Sequence, residues 1–455
     1  MKFKRFFSFF FAVTLVLSLL TPAYAADDFE VDARAALLID VGSGEVLYEK
    51  NCHEQNYPAS VTKVMTALLT LDAVHAGTLS FTQEITAQES AYEGLAPDGS
   101  TANIKAGEVM TVENLLNCLL IVSANEAAHI LAEAVSGSIP AFVEQMNRRA
   151  EALGCSDTHF ANPSGLHNEE HYTSAWDIYL ITAEALKYEE FSTIVARKAY
   201  TVPATNVSKE RSLHSTNYLI STWRTGWPGY YSDEARGIKT GSTPEAGYCL
   251  VANAVRAKRQ LITVVLGAER VKREDGVIET RSFSETLRLF SHGFDDFKSM
   301  DLIDTSEFVC EVPVALSSEA NYVVVHPGEE LRRMVPVELT LDALERDIRL
   351  SSEIVDAPIA EGDTLGTMTV SYHGVDYGTV PLIALNDVSA SRILTMERDV
   401  KAFLVQPWVR YAAAGLLLLI LIVTILILRA RSRRYRGRAR RGGYSSGYRG
   451  SRRRR

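Results

Sequence analysis

Cysteine is scarce in this sequence, and acidic side chains are missing from both of its ends. Only five cysteines occur in 455 residues, at 52, 118, 155, 249 and 310, an odd number without C-x-x-C spacing. That excludes a zinc knuckle or a dithiol redox centre and leaves most of them to be read as small buried apolar residues, with one extracellular disulfide left open. All 56 Asp and Glu lie between residues 26 and 407, where only 30 Lys and Arg accompany them. Long apolar runs are equally few. Residues 1–25 place Lys2, Lys4 and Arg5 before an apolar stretch from Phe6 to Leu20 and the small-x-small triplet Ala23-Tyr24-Ala25, which predicts a secretory signal cleaved after Ala25. Ala412 to Leu428 is apolar and uncharged, with Trp408 and Tyr411 at one end, and predicts a single membrane helix over 408–428. Behind it, residues 429–455 carry 13 Arg, no acid, and little but Gly, Ser and Tyr between them. Such a tail builds no core, and the positive-inside rule holds it in the cytoplasm with the acidic body outside. The Arg run is thereby explained without nucleic acid, and no nucleic-acid partner is expected.

With 47% hydrophobic residues the exported body can bury a core in two domains. Ala35–Asp40 and Glu45–Tyr48 flank a Gly-containing turn and predict a hairpin. It leads into Tyr57-Pro58-Ala59-Ser60-Val61-Thr62-Lys63, where a serine stands three residues before a lysine at the opening of a helix running to about His75. Three residues is nearly one turn, so hydroxyl and amine share a face near the helix N-terminus, where free N–H groups favour developing negative charge. A nucleophilic serine with a lysine base needs that arrangement.

Two further stretches supply partners. From Thr111 to Ala134 the apolar residues recur at helical spacing around the polar break Ser123-Ala124-Asn125-Glu126; polar side chains in a buried turn are costly unless they bond to something. Farther on, Lys239-Thr240-Gly241-Ser242, Ala246–Ala252 and Leu261–Gly267 read as successive antiparallel strands, the last pairing with the N-terminal hairpin. Lys239 brings a positive charge, Thr240 a hydroxyl, and Gly241 is expected to let a ligand approach the backbone.

The ordered set Ser60-x-x-Lys63, Ser123-x-Asn125 and Lys239-Thr240-Gly241 resembles that of penicillin-binding proteins and β-lactamases. With Asn162-Pro163-Ser164-Gly165-Leu166, Gly99-Ser100 and Thr216-Asn217, residues 30–390 resemble the low-molecular-mass penicillin-binding proteins that act as serine D-alanyl-D-alanine carboxypeptidases. One departure is Ala124, where that family commonly has Gly. The resemblance implies an α/β (α+β) β-lactamase/transpeptidase-like catalytic domain over 26–295, with a central antiparallel sheet flanked by helices, a β-rich domain over 300–390, a linker over 391–407 and the membrane helix. It also implies Ser60 as nucleophile, Lys63 as base and Ser123 as proton relay, with Asn125, Lys239, Thr240, Gly241 and Ser242 binding substrate. The substrate would be a peptidoglycan stem peptide and the inhibitors β-lactams; neither metal nor cofactor is required.

Two decoys remain. His167-Asn168-Glu169-Glu170-His171 matches the inverted zinc-protease pattern H-x-x-E-H, but turn residues precede it and Tyr172–Ala175 reads as the cap of the next helix, so a surface loop is expected. Glu113-Asn114-Leu115-Leu116-Asn117 resembles the E-x-x-L-N of class A β-lactamases, yet it precedes Ser123 instead of following it. The rival readings are therefore a β-lactamase and a catalytically idle penicillin-binding scaffold.

Overall fold

The computed structural model describes residues 29–223 and 229–439. The signal segment and the Arg tail beyond 439 lie outside them. The chain forms two units: one comprises everything through Leu302 together with Arg332–Leu344, the other Ile303–Leu331 and the chain from Glu345 onward.

The first unit is built on strands β1 (Ala35–Asp40), β2 (Val46–Lys50), β3 (Ala235–Thr243), β4 (Gly247–Arg256) and β5 (Arg259–Ala268). They form one antiparallel sheet in the order β2-β1-β5-β4-β3. Every residue of β1 is buried, because both faces of the sheet are covered and alternate side chains go to opposite layers. Ala35, Leu37 and Ile39 join the larger core with Val264 and Leu266. Ala36 and Leu38 meet Leu289, Phe290 and Phe294 on the other face. The predicted pairing of Leu261–Gly267 with the hairpin is present, with Leu37 opposite Val264.

The helices of ten or more residues described in this unit are α1 (Lys63–His75), α2 (Val112–Ile121), α3 (Asn125–Ser136), α4 (Ile139–Ala152), α5 (Ala175–Ala185) and α6 (Arg281–Asp295). α6 covers one face of the sheet; α1 lies at the centre of the larger core with nine successive buried residues, Lys63 to Leu71. A helix buried all round must satisfy its polar side chains internally: Thr66 donates to Pro163 O at 2.6 Å and Thr70 to Thr66 O at 2.8 Å. Side-chain oxygens cap three of the others, Thr111 for α2, Ser138 for α4 and Ser174 for α5, each accepting from the first turn.

The segment Arg332–Leu344, expected within the β-rich domain, belongs to the first unit. Met334 N donates to Glu45 Oε2 at 2.6 Å, Val337 N to Asp296 O at 2.9 Å, and Arg332 pairs with Asp301. These partners are distant in sequence, which is why spacing alone did not reveal the crossing.

The second unit contains β6 (Cys310–Ala315), β7 (Tyr322–Pro327), β8 (Glu345–Leu350), β9 (Val355–Asp356), β10 (Thr364–Tyr372) and β11 (Val375–Ala384). They form a six-stranded sheet in the order β8-β10-β11-β7-β6-β9. His373 and Gly374, both at positive φ, close the β10–β11 hairpin as a two-residue turn whose twist matches the strands. The expected linker is instead largely helical: α7 (Arg392–Val405) is followed after one residue by α8 (Pro407–Ala439), of which Pro407–Ser432 is long and apolar enough to cross a membrane. All five cysteines are free thiols.

Candidate active site

Residues Ala59–Thr62 form one turn of 3₁₀ helix that runs directly into α1 and carries Ser60. Ala59 sits at φ +48°, a left-handed conformation that costs an L-residue about 1–2 kcal/mol and so requires support from its surroundings. Two hydrogen bonds and two close glycines give it. Thr62 Oγ1 donates to Ala59 O at 2.8 Å and Val61 N to Pro58 O at 3.2 Å. Gly165, at φ +82°, lies so close that a Cβ there would overlap Ala59 O, and Gly241 is also tightly packed, its would-be Cβ 2.9 Å from Pro58 O and Ser60 N. The missing side chain at Gly241 thus makes room for the Ser60 turn as well as lying on the cleft.

Lys63 is fully buried. Its Nζ lies 2.9 Å from Ser60 Oγ, 2.8 Å from Asn125 Oδ1 and 2.5 Å from Ser164 O. An amide oxygen and a backbone carbonyl can only accept, whereas a serine hydroxyl can also donate. A neutral amine has two N–H bonds and one lone pair. In that form both bonds go to Asn125 and Ser164 and the lone pair faces the Ser60 hydroxyl; in the ammonium form all three oxygens accept from Lys63. Burial, then the positive charge of Lys239, pushes the Lys63 pKa well below that of a free lysine, with Glu126 opposing; desolvation and a like charge both disfavour the ammonium form.

Ser123 holds the polar break between α2 and α3 at φ +66° and accepts from Lys239 Nζ at 2.9 Å. Asn125 opens α3, its N–H on Ser100 O at 2.9 Å. Ala124 has φ −58° and is completely buried, so the methyl group at this departure is unstrained; the left-handed residue of the turn is its neighbour. Lys239, on edge strand β3, is also buried, which lowers its pKa to about 7, and it donates to Thr240 O at 2.8 Å. Thr240 Oγ1 shares a hydrogen bond with Thr216 Oγ1 at 2.8 Å. Ser60, Ser123, Thr240, Gly241 and Ser242 line one cleft of about 190 Å³, with Lys63 and Lys239 reaching the Ser60 and Ser123 hydroxyls from behind and Asn125 holding Lys63. Every predicted site residue is therefore brought together.

Other residues take part without a motif of their own. Tyr218, Arg270 and Phe283 line the cleft. Asn162 Oδ1 accepts from the backbone N–H groups of Ser164, Gly165 and Leu166 at 3.2, 2.7 and 3.1 Å, winding that loop so that Ser164 O faces Lys63. Glu126 accepts from Thr101 Oγ1 at 2.7 Å and Ala102 N at 2.8 Å, tying a surface loop to the start of α3. Asn-Pro-Ser-Gly was legible as a turn; that its carbonyl holds the lysine was not. Of the decoys, Glu113 and Asn117 sit on α2 with Arg197 as their partner and do not line the cleft. His167 to Glu170 form an exposed or half-exposed loop as expected, whereas His171 is 1% exposed, against the expectation of a surface position.

A serine, two buried lysines and a left-handed serine turn around one cleft suit acyl transfer through a covalent ester. The profile of the D-alanyl-D-alanine carboxypeptidase family matches residues 22–270, and that of the penicillin-binding protein 5 C-terminal domain matches residues 298–390. The chain belongs to the D-alanyl-D-alanine carboxypeptidase family. It is 30% identical over 398 residues to D-alanyl-D-alanine carboxypeptidase DacF of Bacillus subtilis, covering 86% of this chain and 96% of that protein. The crystal structure of carboxypeptidase DacD from Francisella tularensis superposes with a TM-score of 0.64 at 26% identity, covering 80% of this chain and 95% of that one. Penicillin binding protein 5 from Haemophilus influenzae gives 0.58 at 28%, covering 80% and 100%. The carboxypeptidase family thus accounts for both units, a transpeptidase-like α/β domain and a β-rich C-terminal domain.

Proposed function

We propose that this protein removes the terminal D-alanine from peptidoglycan pentapeptide stems through an acyl-enzyme on Ser60 and is inhibited by β-lactams. The observation that carries the reading is the hydrogen-bond set of Lys63, which leaves its lone pair for the Ser60 proton. Ser60 Oγ attacks the carbonyl between the last two D-Ala residues as its proton passes to Lys63 Nζ. The tetrahedral oxyanion is received by the backbone N–H groups of Ser60 and Ser242, the latter on the edge strand β3. Cleavage of the C–N bond sends a proton through Ser123 to the departing amine. Water then attacks the ester, returning the proton to Ser60 and freeing the shortened peptide. Asn125 orients Lys63 and the substrate amide; Lys239 and Thr240 hold the terminal carboxylate.

Incubating the purified protein with a pentapeptide stem and weighing the products tests this: loss of one D-Ala is expected. Intact stem overturns the reading in favour of an idle scaffold, and steady release of opened penicillin without a lasting adduct favours a β-lactamase. Lys239→Ala is expected to lower kcat/KM for a free C-terminal carboxylate by about 10- to 100-fold, the equivalent of the roughly 1.5–3 kcal/mol of a hydrogen bond to a charged group. An amidated analogue should lose far less, and equal losses would remove the assignment.

The topology proposed is a body outside the cell and an Arg tail inside, with α8 halting translocation in front of Arg429 and Arg431, since moving such charges through a bilayer is unfavourable. Deleting residues 408–455 is expected to release active protein into the medium, because the proposed catalytic residues all precede residue 243. A truncated protein still held at the membrane would instead implicate α7, which exposes Ile393, Met396, Val400 and Phe403 at helical spacing.

A further inference from the structure

The mechanism above gives no part to His171, yet this residue is buried directly beneath the Ser60 turn. Its Nδ1 accepts from Ala161 N at 3.0 Å, and its Nε2 lies 2.8 Å from Thr62 Oγ1. In a neutral imidazole one nitrogen accepts and the other carries the proton. The Ala161 N–H therefore fixes the Nε2–H tautomer, which donates to Thr62. Thr62 in turn donates its hydroxyl proton to Ala59 O at 2.8 Å. The result is a one-way chain from the Ala161 amide through His171 and Thr62 to the carbonyl of the left-handed residue next to the nucleophile.

We infer that His171, acting through Thr62, is a positioning residue that locks the Ala59–Ser60 turn in the conformation from which Ser60 attacks. Both ring nitrogens are engaged, so the H-x-x-E-H pattern that ends in His171 leaves this residue no nitrogen for a metal. Burial, reinforced by His159, Lys63 and His167, lowers its pKa to about 3, in keeping with the neutral tautomer the chain requires. The inference rests on the reading of Ser60 as nucleophile.

The test measures acylation of the full-length protein by a fluorescent penicillin, separating the limiting acylation rate from the preceding dissociation constant. Thr62→Val, which keeps the side-chain volume, and His171→Ala are each expected to lower the limiting rate about 10- to 100-fold, the scale of a small misplacement of a reacting group. The dissociation constant should stay within about 3-fold. The double variant should be no slower than the slower single one, because both cut the same chain. Thr62→Ser should restore the rate, and His171→Gln, whose amide can still donate to Thr62, should recover part of it. A purely packing role would change the melting temperature but not produce this rescue. Label lost in Ser60→Ala together with an unchanged rate in Thr62→Val, or losses that multiply in the double variant, overturns the positioning role alone. Label that survives in Ser60→Ala removes the nucleophile reading, and the positioning role with it.

Discussion

Ser60→Ala is expected to abolish both covalent labelling by penicillin and release of D-alanine while leaving the fold intact. The substitution removes one oxygen from a half-buried position, and Lys63 keeps its bonds to Asn125 and Ser164, so no buried charge or donor is stranded. What disappears is the atom that forms the ester, and no neighbouring group can replace it. Ser123 is the nearest alternative hydroxyl in kind, but it accepts from Lys239, and the amine whose lone pair is free for a proton faces Ser60. Loss of the nucleophile typically costs on the order of 10⁴-fold or more in kcat. Intact-mass analysis after incubation with a penicillin reads the result directly; an adduct on the variant would show that the ester forms elsewhere.

The second large effect is expected at Lys63. Lys63→Gln preserves a polar side chain of similar reach but removes the base, and loss of a positioned general base typically costs about 10²–10⁴-fold. The wild-type pH profile should show the same residue at work. The base acts only when neutral; because burial and Lys239 depress its folded pKa, the acylation rate is retained well below the pKa of a free lysine and falls only as pH drops through the depressed value. Lys239 sets the opposite limb. It must be charged to hold a carboxylate and its pKa is about 7 in the free protein, so kcat/KM for a carboxylate substrate should decline as pH rises through that region. An amidated analogue should lack this alkaline decline. In Lys63→Gln the acid limb should vanish; an unchanged acid limb would assign it to another group.

The sheet and the motifs were legible because they are local. β1 and β5 are apolar runs bounded by turn residues, α1 opens at the S-x-x-K stretch, α3 begins at the polar break that interrupts helical spacing, and Ser60 and Lys63 are neighbours by helix geometry alone. The five thiols also behaved as composition indicated. The helix in the stretch read as a linker was missed because its apolar residues, exposed along α7, pack against no core that would announce them. The place of Arg332–Leu344 was missed because strand-like spacing does not name the partner strand.

What the sequence determined by itself was the identity and order of the groups proposed to react, since S-x-x-K, S-x-N and K-T-G each lie within four residues, where helix and strand periodicity fix relative position. Only the tertiary structure decided how those groups are tuned. Lys63 is held by a carbonyl 101 residues away and an amide 62 residues away, and its charged form is disfavoured by burial and by the lysine of strand β3. Gly241 was seen as a glycine of the site, but its necessity lies in the backbone of a turn that reaches it from far along the chain. Hydrogen-bond geometry and desolvation depend on which atoms surround a group in space, and that is settled when the helices close over the sheet, not by the spacing of residues along the chain.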